Sequence, residues 1–148
     1  MQITPAAIVI FAAALVGAVP QPRQNCPEAT QFGVLSVSPT TVSAGDTLTV
    51  NADFSCAINN FGHIPQYTDY YIEVPVNNNG HEPPILLARR TLASGSTSDS
   101  FTVQVPDAYY FANAGYVVIL DTTFPINGTN GIPYSVVGGI EAPITIMV

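Results

Sequence analysis

Apolar and polar residues alternate with a period of two through much of the chain beyond residue 31. In TLTVNADF, residues 47–54, Leu48, Val50, Ala52 and Phe54 fall on one side and Thr47, Thr49, Asn51 and Asp53 on the other. That pattern predicts a strand with one face in a core and one in water, and Cys56 continues the inward parity. DYYIEVPV, residues 69–76, places Ile72, Val74 and Val76 inward and Tyr71, Glu73 and Pro75 outward. The proline marks a sheet edge or a bulge. SFTVQVP, residues 100–106, repeats the alternation with Phe101, Val103 and Val105. GYVVILDTTF, residues 115–124, starts apolar on both faces, as a central strand does. FGVLSVS (32–38), PILLARRTL (84–92) and APITIMV (142–148) complete seven predicted strands, the last with Ile144, Ile146 and Val148 sharing a face.

The breaks between these runs carry turn chemistry: Ser43-Ala44-Gly45-Asp46, Asn79-Gly80, Ser94-Gly95, Asn113-Ala114-Gly115 and Gly138-Gly139. No stretch of ten or more residues after the N-terminal segment has a helical period. Short strands at this spacing predict an antiparallel β-sandwich, and 148 residues leave room for one domain.

The N-terminal segment differs from the rest. Ala6 to Val19 is an apolar run, shorter than the ~20 residues that cross a bilayer, and it ends in small residues followed by prolines. This is the pattern of a secretory signal with cleavage after Ala18. Residues 1–18 are therefore expected to be removed, 19–31 to form an N-terminal arm, and 32–148 to form the sandwich. In an oxidising compartment Cys26 and Cys56 have only each other, so a disulfide between them is expected. The chain has no lysine and only Arg23, Arg89 and Arg90 against ten carboxylates. Nucleic acid and anionic membrane surfaces, which bind clustered cations, are excluded as expected partners.

Candidate chemistry is sparse. NNNGHEPP, residues 77–84, contains His81 and Glu82, which together have the makings of a general base with its orienting carboxylate or of two metal ligands. Asn79-Gly80 explains the same segment as a hairpin turn, and a solvated turn is the preferred expectation for His81. The other histidine, His63, is expected in a similar solvated loop, roughly 30 Å away across about ten strand residues, so the two do not form a joint site. There is no G-x-S-x-G motif, and both cysteines are better used as a bridge. Asp69, Glu73, Glu82 and Asp121 offer carboxylate pairs for glycoside hydrolysis, against the simpler expectation of solvated faces. No cofactor or metal is expected.

Seven tyrosines form the more informative surface. Tyr71 points outward if Ile72 points inward, and Tyr67 precedes it on the same parity; both are candidate ligand-binding residues, since amphipathic rings stack on sugars and hydrogen-bond their hydroxyls. Tyr110 or Tyr116 fits a structural corner near the start of a late strand. Asn127-Gly128-Thr129 is an N-glycosylation sequon. Arg89-Arg90 is a dibasic pair that a paired strand would protect from proteolysis.

The succession VSPTTVSAGDTLTV (37–50), YYIEVPV (70–76), PILLARRTL (84–92), SDSFTVQVP (98–106), GYVVILD (115–121) and YSVVGGIEAPITI (134–146) resembles fungal extracellular immunoglobulin-like domains. It is most similar to the N-terminal module of Ser/Thr-rich cell-wall proteins of the Kre/Knh type. The likeness covers about residues 34–146, but the chain lacks the tryptophan usual in the second strand, and neither a Ser/Thr-rich stalk nor an anchor is expected. The resemblance implies a seven-stranded immunoglobulin-like sandwich at the fungal cell surface, near β-glucan.

The expected function is that of a secreted, monomeric, non-catalytic binding module, with carbohydrate the leading ligand. The alternative is a secreted effector or structural protein that binds another protein through a sheet edge, and the third is a small hydrolase using His81 and Glu82. An aromatic row over a shallow groove favours sugar, a flat apolar edge favours protein, and a closed pocket converging on His81 favours an enzyme.

Overall fold

The computed structural model describes residues 25–78 and 82–148. The expected signal peptide, residues 19–24 of the arm, the Asn79-Gly80 turn and His81 lie outside the described residues. The strands are β1 (Val34–Ser38), β2 (Thr41–Ser43), β3 (Thr47–Asp53), β4 (Tyr67–Glu73), β5 (Ile85–Arg90), β6 (Ser98–Gln104), β7 (Val117–Asn127), β8 (Pro133–Pro143) and β9 (Thr145–Met147), with a short helix, α1 (Ser55–Asn59), after β3. Two antiparallel sheets face each other, one ordered β1-β3-β6 and the other β5-β4-β7-β8, and β2 pairs in parallel with β9. The protein is a mostly β, sandwich-like fold. No helix among the described residues is long and apolar enough to cross a membrane.

The core follows from the alternation. Leu48, Val50, Ala52 and Phe54, set on one side by the period of β3, are all buried. They join Tyr70 and Ile72 of β4 and Val118 and Leu120 of β7 in one apolar cluster. Each large side chain so buried contributes on the order of 1.5–3 kcal/mol. β7 lies between β4 and β8 and is buried on both faces at its start, at Val117 and Val118, as the continuous apolar run requires. At the sandwich edge, Arg90 of β5 reaches across to Asp99 of β6 with a bidentate pair, Nε to Oδ2 at 2.5 Å and Nη2 to Oδ1 at 2.9 Å. The same guanidinium stacks 4.4 Å from the Phe101 ring centre, so one side chain ties the two sheets.

Four expectations need correction. The strands number nine among the described residues, not seven, because two short pieces pair at the edge and because residues 133–143 form a full strand. Gly138-Gly139 is inside β8 and not a turn. A Cβ at Gly138 would collide with the Phe32 ring, and one at Gly139 would lie 2.8 Å from Asp121 Oδ1. The glycines mark close approach of side chains to a strand. Val76 and Val148 are exposed, since β4 ends at Glu73 and β9 at Met147. Cys56 lies in α1, where its disulfide to Cys26 (Cα–Cα 5.5 Å) pins the start of the described chain to the end of β3. The Ser43–Asp46 turn is as expected: Gly45 has φ +83°, and the Ser43 amide donates to Asp46 Oδ2 at 2.7 Å.

Candidate functional site

The outward face of the four-stranded sheet collects the side chains singled out in the sequence. Odd-numbered residues of β4 point away from the core, so Tyr67, Asp69, Tyr71 and Glu73 share that face. Register then builds rows across the strands. Arg89, Asp69 and Asp121 lie side by side, and one step further along Leu86, Tyr71, Ile119 and Glu141 do the same. The second row exists because of a β-bulge at Tyr70/Tyr71, which puts Leu86, 53% exposed, directly opposite Tyr71.

Asp69 is only 6% exposed although it sits on an outer face. Both its oxygens accept from Arg89, Nε to Oδ1 at 2.6 Å and Nη2 to Oδ2 at 2.7 Å. Such a planar fork is the strong form of a carboxylate pair. The Arg89 guanidinium also lies 4.6 Å from the Tyr67 ring centre, covering one face of a ring expected to be open. Tyr71 is half-buried and keeps its place in the apolar row. Burial, and after it the Asp69 charge, raises its pKa, so its hydroxyl stays protonated and able to donate.

The paired acids of the sequence do converge. Asp121 is the cross-strand partner of Asp69, which brings the two side chains within about 5 Å at Cβ. Burial, then the Asp69 charge, raises the Asp121 pKa; burial, then Asp121, raises that of Glu73. With both Asp69 oxygens engaged by Arg89, the arrangement is a hydrogen-bonding surface more than an acid/base pair.

Glu82 belongs to a different place, one end of the sandwich. The Asn78 side chain bonds the Glu82 backbone twice, donating to its carbonyl (2.7 Å) and accepting from its amide (3.0 Å). The Tyr116 hydroxyl, in turn, accepts from the Phe111 amide at 2.9 Å and donates toward the Glu82 carboxylate, 2.9 Å from each oxygen. Burial above all pushes the Tyr116 pKa up to about 12. A cavity of about 300 Å³ opens here, with Val74, Phe111 and Ala114 on its apolar side and Asn77, Asn113 and Glu82 supplying polar groups.

Other candidates separate cleanly. His63 is not in a solvated turn: it stacks on Phe124 with ring centres 4.2 Å apart, near Phe32 and Phe61, and its Nδ1–H donates to the Gln31 carbonyl at 2.8 Å. Two of its ring neighbours, Phe32 and Phe124, come from far along the chain, which made that packing invisible locally. Asn127 is exposed at the end of β7, where the chain turns toward β8. Sequence reasoning passed over the exposed aromatic pair Tyr109 and Phe111, 79% and 47% exposed with ring centres 5.1 Å apart. Position in the loop 106–115 was the one available signal. It also missed the Tyr116–Glu82 link, whose partners are 34 residues apart.

Fold and face together define a β-sandwich with a shallow tyrosine-bearing sheet surface and a cavity at one end. No family model matches the chain, and no curated protein matches it. Among solved structures it is similar to the superoxide reductase (neelaredoxin) from Ignicoccus hospitalis, with 10% identity over 78% of this chain and 80% of that one and a TM-score of 0.43. A point-substituted form of that protein gives 11% identity over 76% and 79%, with a TM-score of 0.41. Likeness at this level assigns no family and carries no chemistry across.

Proposed function

We propose that this protein is a secreted, non-catalytic, immunoglobulin-like module that binds polysaccharide on the outer face of its four-stranded sheet. The observation that carries the proposal is the open row Leu86–Tyr71–Ile119 beside the hydrogen-bonding row Arg89–Asp69–Asp121. A pyranose has an apolar C–H face and a rim of hydroxyls. Tyr71 and its apolar neighbours suit the first, and the adjoining charged side chains suit the second.

The immunoglobulin-like assignment is supported by strand order. Sheets β1-β3-β6 and β5-β4-β7-β8 correspond to A-B-E facing C′-C-F-G. Tyr116, just before β7, takes the place of the corner tyrosine, its hydroxyl bonded back to the Phe111 amide, and Tyr110 donates to the Pro106 carbonyl at 2.9 Å. The disulfide supports export, because such bonds persist in oxidising compartments. The fungal cell wall, near β-glucan, is the setting the sequence resemblance favours, and the protein acts there as a monomer. Exposed Ile132, Tyr134 and Val137, on and beside the free-edge strand β8, favour a second reading: a protein partner joined along that edge.

The test is co-sedimentation of the protein, purified from the medium of a yeast host, with insoluble β-glucan, chitin and cellulose. Retention on one polymer that Tyr71→Ala loses is the expected result. Absence of retention on all three would sink the carbohydrate proposal and leave the β8 edge as the surface to pursue.

A further inference from the structure

The end cavity has a neighbour that reaches toward the proposed face. A second cavity, of about 400 Å³, shares Val74, Asn77 and Asn113 with the first and extends to Val117 and Glu141. Glu141 stands in the same row as Tyr71, across Ile119. Shared lining residues therefore lead from the tyrosine row, past Glu141 and Val117, to the enclosure around Glu82.

The chemistry of that enclosure changes along the way. The sheet face is open, whereas the end cavity offers an apolar floor (Val74, Ala114), an exposed aromatic pair (Phe111, which lines it, and Tyr109 packed edge-on against Phe111) and three polar side chains. Asn77 and Asn113 both hold left-handed backbone, φ +59° and +62°, a conformation asparagine tolerates better than most residues. Glu82 is held from behind. The Phe111 amide occupies a lone pair of the Tyr116 hydroxyl, so its single proton goes to the carboxylate. One proton shared by two oxygens leaves Glu82 with acceptor capacity for further donors. A carboxylate, two amides and an aromatic rim in about 300 Å³ fit one neutral, ring-shaped, polyhydroxyl group.

We infer that the cavity at Glu82, Asn77 and Asn113 takes the terminal sugar unit of a glycan chain whose following units lie over Tyr71. Glu82 accepts hydrogen bonds from two hydroxyls of that unit, the asparagine amides contact its rim, and Phe111 stacks on its apolar face. Tyr116 is a positioning residue that holds Glu82. This inference rests on the sheet-face proposal and adds an end and a direction to it.

The experiment measures equilibrium binding of soluble β-1,3-gluco-, cello- and chito-oligosaccharides to the full protein, alongside retention on the insoluble polymers. Glu82→Gln preserves an acceptor for Tyr116, and Asn113→Gly removes the amide while easing the positive φ, so both variants are expected to fold. For the oligosaccharide that binds, each variant is expected to lose at least tenfold in affinity while retention on the polymer, carried by Tyr71, falls less than threefold. Unchanged oligosaccharide affinity in both variants, with loss in Tyr71→Ala, would overturn the end-cavity inference and leave the sheet face standing. No binding of any oligosaccharide or polymer by the unaltered protein would overturn both.

Discussion

Asp121 shows how a single side chain on an outer sheet face feels both burial and its neighbour. Its pKa, like that of Glu73, is raised, so the folded protein holds protons more tightly at these two groups than the unfolded chain does. The stabilising contribution is present below the ordinary carboxylate range and is lost as pH rises through the raised values. Asp121→Asn removes one of the two groups and relieves Glu73 of a repulsive neighbour. Urea unfolding between pH 4 and 7 should therefore show a flatter pH dependence in the variant, with its gain over the parent greatest at the upper end. A parallel pair of curves would mean that the Asp121 proton is not linked to folding. At this scale the sequence was a partial guide. The parity of β4 correctly put Tyr71 outward, but it had no means of showing that Arg89 covers a face of Tyr67, because that contact depends on the register of β5 against β4.

Elements were most legible where one face is wet. β3 alternates strictly and was read residue by residue, together with the buried Phe54 that follows it. β8 was missed except for its last two residues because Gly138-Gly139 has the composition of a turn, while the cause of Gly138 is the Phe32 ring lying against the strand, 106 positions earlier in the chain. Side chains contributed from far away leave no periodic trace in the strand that receives them. The packing makes a prediction. Gly138→Ala forces the Phe32 ring aside and should destabilise the fold by about 1–3 kcal/mol, as overpacking does. Adding Phe32→Ala should recover part of that loss, giving a non-additive double-mutant cycle in denaturant melts. Strict additivity would show that Phe32 does not pack on β8.

For the molecule as a whole, the disulfide and the sandwich are separate sources of order. Cys26 and Cys56 enclose a loop with a separation of 30 residues, and closing a loop of that size stabilises by roughly 3–4 kcal/mol in the chain-entropy account. Cys26→Ser with Cys56→Ser should lower stability by about that amount and leave the far-ultraviolet β signature intact, since the described core is built from residues 42–146. A loss below ~1 kcal/mol would mean that the unfolded chain is already constrained there. The Glu82 enclosure is likewise a property of the whole molecule, assembled from Val74, Asn77, Asn78 and Glu82 and from residues 111–116 brought together at one end of the sandwich. Neither segment announces it alone.

The central claim is that the face carrying Tyr71 holds polysaccharide. Its most direct test is a binding isotherm of the parent protein and Tyr71→Ala on the polymer that retains the parent, at matched salt and pH. At least a tenfold loss of affinity, about 1.4 kcal/mol, is expected in the variant, which remains folded under the assay conditions. Equal isotherms for the two proteins would contradict it.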